Sequence, residues 1–156
     1  MVGVELRGHP LLRQRTDRPA VATGREAQVS AQHAIAIAFR RGEAGLDAFS
    51  DAAVAETLRD GRPEVRFTDD PSMDIAGVQA VFRMADGTSE TLTIEAARGS
   101  PANPLTDAEL EEKLTMLAAR AGFSRPVGPL IDAIWQLDTL EDAGQVSQLA
   151  ALAEGA

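Results

Sequence analysis

The chain has 156 residues, no cysteine, two histidines and a net charge of −9. That length holds one domain, or one domain with a helical tail; the lack of cysteine removes disulfides, thiolate metal sites and a cysteine nucleophile, and the acidic balance argues against nucleic acid as a partner. No run of 18 apolar residues exists, so no membrane span is expected, and MVGVELRGHP lacks the apolar stretch of a signal peptide. A cytoplasmic location is the expectation.

Val2, Val4 and Leu6 alternate, which predicts a strand to Arg7. A domain rarely opens inside a core strand, so the chain is expected to be a piece of something longer. His9-Pro10 should end the strand, with His9 a turn residue. Leu11 to Ala22 reads as an irregular connection carrying Arg13, Arg15, Arg18 and Pro19. Residues 1–25 hold five arginines against two acids. They form either a solvated surface or a face toward an anionic partner.

Ser30 is a helix cap, followed by Ala31, Ala34, Ile35, Ala38 and Phe39 in one predicted stripe, with Gly42 as the stop. Gly45 to Phe49 is a short turn. Ser50 caps a second helix to Asp60, with Val54, Ala55 and Leu58 inward, and Gly61 ends it. Strands follow at Glu64–Thr68, Gly77–Ala85 and Ser89–Ala96, the last two joined by Asp86-Gly87 in a hairpin. Leu92, Ile94 and Ala96 are expected inward. Asn103, between two prolines, reads as a turn former.

Thr106 and Glu109 form a capping box. Leu110, Leu114, Leu117, Ala118 and Ala121 make the stripe of the helix behind it, and Lys113 is expected to pair with Glu109 one turn back. Two further helices are expected: Pro126–Leu137, burying Leu130, Ile131, Ile134 and Leu137, and Glu141–Ala153, with Val146, Leu149, Ala150 and Ala153 apolar. The fold class is α+β: an antiparallel sheet of about four strands covered by helices, with a helical C-terminal stretch. The domain division is 1–125 for the α+β part and 126–156 for the last helices.

Glycine-rich phosphate loops are absent, no strained nucleophile turn accompanies the two histidines, and no His/Asp/Glu spacing suggests a metal site. No cofactor is expected. His33 is the best single candidate for chemistry. It is either a first-turn histidine satisfied by a neighbour or one lining a pocket, and the residues alone leave both open.

Three stretches in order carry a resemblance: Gly24–Gly42, with Ser30-Ala31-Gln32-His33 opening an alanine-rich helix; Met84-Ala85-Asp86-Gly87 leading to Arg98-Gly99-Ser100-Pro101-Ala102-Asn103-Pro104-Leu105-Thr106; and Glu109-Leu110-Glu111-Glu112-Lys113-Leu114. From His9 to about Leu149 the chain resembles the C-terminal region of the MmgE/PrpD family, which includes 2-methylcitrate dehydratase, cis-aconitate decarboxylase and iminodisuccinate epimerase. Leu114 stands where phenylalanine is usual. The resemblance implies the smaller lid domain of a lyase or isomerase about three times longer, built on an N-terminal helical domain. It implies a di- or tricarboxylate substrate, proton abstraction next to a carboxylate, no metal, and a homodimer. The lid alone would be inactive, and its helices from Pro126 would pack on the helical domain. By the same resemblance Ser30, Gln32 and His33 would bind substrate, with His33 the catalytic candidate. The alternative is a stand-alone, non-catalytic interaction or small-anion-binding module.

Overall fold

A computed structural model describes residues 1–151. Alternation sets the central strand. In β1 (Gly3–Gly8) Val4 and Leu6 are buried while Glu5 and Arg7 face away. It sits between β2 (Glu64–Asp69) and β3 (Val78–Arg83), with β4 (Ser89–Ile94) outside β3, in the order β2-β1-β3-β4. Register aligns Phe67, Leu6, Ala80 and Leu92 in one row across the sheet.

The sheet is mixed, which corrects the expectation of a purely antiparallel one: β1 and β2 run parallel, and the other two pairings are antiparallel. More than fifty residues of helix and turn separate β1 from β2, so the chain crosses over and re-enters in the same direction. Only the β3–β4 pair is closed by a tight turn. There Asp86 accepts from the Thr88 amide at 3.0 Å and hydroxyl at 2.7 Å, and Gly87 takes φ 86°.

The expected loop after β1 is a helix, α1 (Pro10–Thr16). Proline, read above as a terminator, serves here as the first helical residue, where its missing N–H is no loss. His9 is the cap, its Nδ1 accepting from the Leu11 amide at 3.2 Å. A further short helix, α2 (Gly24–Ala27), was not expected; Thr23 and Glu26 supply its capping box. Then come α3 (Ala31–Arg41), a 3-10 turn at Leu46–Phe49, and α4 (Asp51–Arg59). Ser30 and Ser50 cap α3 and α4 as expected, and Gly42 closes α3 at φ 75°.

The buried faces differ from the predicted stripes. In α3 the buried residues are Gln32, His33, Ala36 and Ile37, while Ala31 and Ile35 pack toward the sheet and Phe39 is 53% exposed. The helix is covered on two sides, by the sheet and by α4 with the 3-10 turn, so a single stripe cannot describe it. In α4 the inward residues are Ala53, Val54 and Thr57, with Ala55 and Leu58 exposed. Leu92 and Ile94 of β4 lie in register with buried rows yet remain exposed, because α1 and α3 cover β1 and β2 and leave the β4 edge open.

Residues Met1–Asn103 form one compact unit, and the chain from Pro104 forms a second. The junction is a turn in which Asn103 Nδ2 donates to the Ala96 carbonyl at 3.3 Å. In the second unit Thr106 and Glu109 cap α5 (Asp107–Arg120). Glu109 accepts from the Thr106 amide at 2.8 Å, and Lys113 stands exposed one turn on. Helices α6 (Gly128–Trp135) and α7 (Gly144–Ala150) follow. Leu130 and Ala133 are buried, Ile131 is half-buried, and Ile134 and Leu137 are exposed, against the expected burial of all three. Three short helices enclose too little volume to bury every apolar side chain. The expected apolar Ala153 lies outside the described residues.

Candidate active-site network at the head of helix α3

The head of α3 carries a polar cluster buried in the first unit. Ser30 is 2% exposed, Gln32 6% and His33 0%. Buried polar groups at that depth need partners, and each has them. Ser30 Oγ accepts from the His33 amide at 3.1 Å and donates to the Arg18 carbonyl at 2.7 Å. Gln32 Nε2 donates to Asp17 Oδ1 at 2.7 Å, and its Oε1 accepts from the Arg18 amide at 3.1 Å. Two side chains of one helix turn thereby grip the Arg18 backbone and the Asp17 carboxylate.

His33 faces the other way. Its Nε2 lies 2.7 Å from the Ala48 carbonyl and its Nδ1 3.1 Å from Thr57 Oγ1. A carbonyl can only accept, so Nε2 carries a hydrogen and donates it to Ala48. The ring also meets Phe49, centroid to centroid 5.7 Å at 57°. Thr57 Oγ1 in turn accepts from Arg62 Nε at 3.1 Å and Nη2 at 3.0 Å, and Arg62 Nη1 donates to the Pro19 carbonyl at 3.0 Å. Partial burial pushes the Arg62 guanidinium down from its usual range. Carbonyl, imidazole, hydroxyl and guanidinium form one chain that ties α3, α4, the 3-10 turn and the Asp17–Pro19 segment together.

The same segment holds the basic residues singled out from the sequence. Arg13 pairs with Asp69 at 2.6 Å. Arg18 spends its guanidinium on the Asp17 and Gln14 carbonyls at 2.9 and 3.0 Å. Arg15, Arg18 and Arg25 are exposed, and among the described residues no carboxylate pairs with them. Glu26 holds its own carboxyl below the ordinary range by accepting from the Ala22 amide at 2.7 Å and the Thr23 amide at 3.2 Å. Gly24 fits only as glycine: an added Cβ would sit 2.1 Å from the Phe49 carbonyl oxygen.

Ser30, Gln32 and His33 are thus brought together, but each is turned inward onto protein groups. Asp17, Thr57 and Arg62 complete the network and were missed from the sequence. Thr57 has a weak signal, a β-branched hydroxyl residue inside a helix; Asp17 and Arg62 have none, because their partners lie 15 and 5 residues away across turns. Among the described residues no three His, Asp or Glu side chains converge as metal ligands would, and no helix is long and apolar enough to cross a membrane.

An α+β domain with a mixed four-stranded sheet and a helix head clamped by buried side chains is the class these features define. Residues 2–137 match the MmgE/PrpD C-terminal domain, and the chain belongs to that family. A search of curated proteins gives no match.

Proposed function

We propose that this chain is the lid domain of a two-domain MmgE/PrpD-type enzyme that removes a proton next to a carboxylate of a di- or tricarboxylate. Water loss, CO₂ loss or epimerisation completes the reaction. The match over residues 2–137 carries this reading. The exposed Arg15, Arg18 and Arg25 support it, since guanidinium groups with no carboxylate partner among the described residues suit a polyanionic substrate. In this reading Ser30, Gln32 and His33 serve the substrate by fixing the Asp17–Pro19 backbone from which Arg18 projects. A base, an acid and donors for the enolate-like charge are needed as well, and these come from an N-terminal helical domain. The helices from Pro126 onward pack on that domain, the enzyme is a cytoplasmic homodimeric lyase, and the lid alone is inactive.

The test is a side-by-side assay of the isolated chain and the gene product isolated from its source cells, on 2-methylcitrate, cis-aconitate and iminodisuccinate. The isolated chain is expected to turn over none of them, and the native product one. Turnover by the isolated chain overturns the lid reading. A native product of 16.5 kDa, silent on all three, overturns the two-domain reading and leaves the interaction module.

A further inference from the structure

Arg62 also faces a second basic residue, Arg40, along the C-terminal half of α3. There Val2, Phe39, Arg40, Asp60, Arg62 and Pro63 line an open cleft of about 450 Å³, within the range that small-molecule sites occupy. The chemistry of its walls is uneven. Val2 and Phe39 expose apolar surface, 55% and 53%. Arg40 donates through Nη2 to the Gly61 carbonyl at 2.6 Å, and Arg62 spends three donors on Thr57 Oγ1 and the Pro19 carbonyl. Every one of those acceptors is neutral.

Each guanidinium has five N–H groups, so both retain unused donors. The single acid in the wall is Asp60. Its carboxylate is already taken from outside by Arg59, 2.8 Å away, and this pairing holds it below the ordinary carboxylate range, with Arg40 a lesser influence. Two guanidiniums against one engaged carboxylate leave the cleft positive in a protein of net charge −9. Arg62 is half-buried, and a cation kept from water without a counter-charge is costly. Its hydrogen bonds fix it in place before any ligand arrives, which lowers the entropy lost on binding.

We propose that this cleft is a binding site for a small monocarboxylate with a short apolar tail. The carboxylate takes the free N–H groups of Arg40 and Arg62, and the tail lies on Phe39, Val2 and Pro63. The site lies toward the Arg40 end of α3 and shares Arg62 with the Thr57–His33 chain, but it stands or falls independently of the lid reading.

The test is titration of the full chain with butyrate, followed by amide shifts of Phe39, Arg40 and Gly61 in two-dimensional NMR. Butyramide, the neutral isostere, and inorganic phosphate are the controls. Butyrate is expected to give saturable shifts at these three amides, butyramide and phosphate much smaller ones. R40Q, which leaves the Arg62–Thr57–His33 chain intact, is expected to weaken butyrate about tenfold. F39A is expected to weaken butyrate while leaving acetate unchanged. Absence of saturable shifts at the cleft overturns the site. Equal response to phosphate or butyramide, or an unchanged affinity in R40Q, overturns the carboxylate assignment.

Discussion

His33 shows how one side chain can act as a joint. Both ring nitrogens are engaged, at 2.7 Å with Ala48 and 3.1 Å with Thr57, and the ring is fully buried. Truncation to alanine removes those bonds, opens a cavity beside Phe49 and strands the Ala48 carbonyl. The expected cost is about 3 kcal/mol in urea unfolding. Thr57→Val keeps the shape and loses the hydroxyl, so it should cost less, about 1–2 kcal/mol, while leaving the Arg62 donors unpaired on that side. Gly24 is the other decisive residue. Its amide donates to Asp51 Oδ1 at 2.7 Å, and a methyl group there would collide with the Phe49 backbone. Gly24→Ala is expected to lower stability by about 2–4 kcal/mol, read from the urea midpoint, because backbone must move to make room.

At the scale of elements, caps decide which short helices exist. Helix α2 has four residues and is held by the reciprocal bonds of Thr23 and Glu26. The Glu26 carboxyl is held below its usual range by the Ala22 and Thr23 amides. A depressed carboxylate adds stability above the unfolded-state value and loses it as pH falls through the folded-state value. Asp69, against Arg13, and Asp70, against Ser72 and Arg7, are shifted the same way. Acid titration of stability should therefore show a decline that starts near the ordinary carboxylate range and continues below it, and E26Q should flatten part of that decline. In the second unit, Thr106→Ala removes the cap of α5, where the hydroxyl accepts from the Glu109 amide at 3.3 Å. About 1 kcal/mol is expected to be lost, with faster hydrogen exchange in the first turn of α5 as the readout.

At the scale of the whole molecule, the two units differ in how much apolar surface they retire. The first buries Val4, Leu6, Ala36, Ile37 and Val54, whereas the second leaves Leu110, Leu117, Ile134, Trp135 and Leu137 at 41–52% exposure. Trp135 is the only tryptophan in the chain, half-exposed, with its Nε1 donating to Glu111 at 2.8 Å. In the isolated chain its emission should be that of a partly hydrated indole and open to acrylamide quenching. In a full-length enzyme, where the lid reading puts a helical domain on these helices, the emission should shift to the blue and the quenching should fall. An unchanged spectrum would count against that packing.

The sequence by itself determined several element boundaries, though not the helices α1 and α2. Ser30, Ser50 and Thr106 cap helices, Gly42 and Gly122 close them, and Asp86-Gly87 turns a hairpin, since caps and turns depend on groups within four residues of one another. The family was legible in the same way, from the order of its local stretches. What only the tertiary structure decided is which faces are buried and how the strands are directed. The crossover from β1 to β2 made that pair parallel, and the two-sided covering of α3 turned Gln32 and His33 inward while Phe39 stayed out. The long-range parts of the Ser30–Gln32–His33 network followed the same rule. Asp17, Thr57 and Arg62 join it from other elements, and side-chain pairs of that kind leave no periodic trace in the chain. The local pattern sets what a residue is able to do, and packing sets which neighbours it does it with.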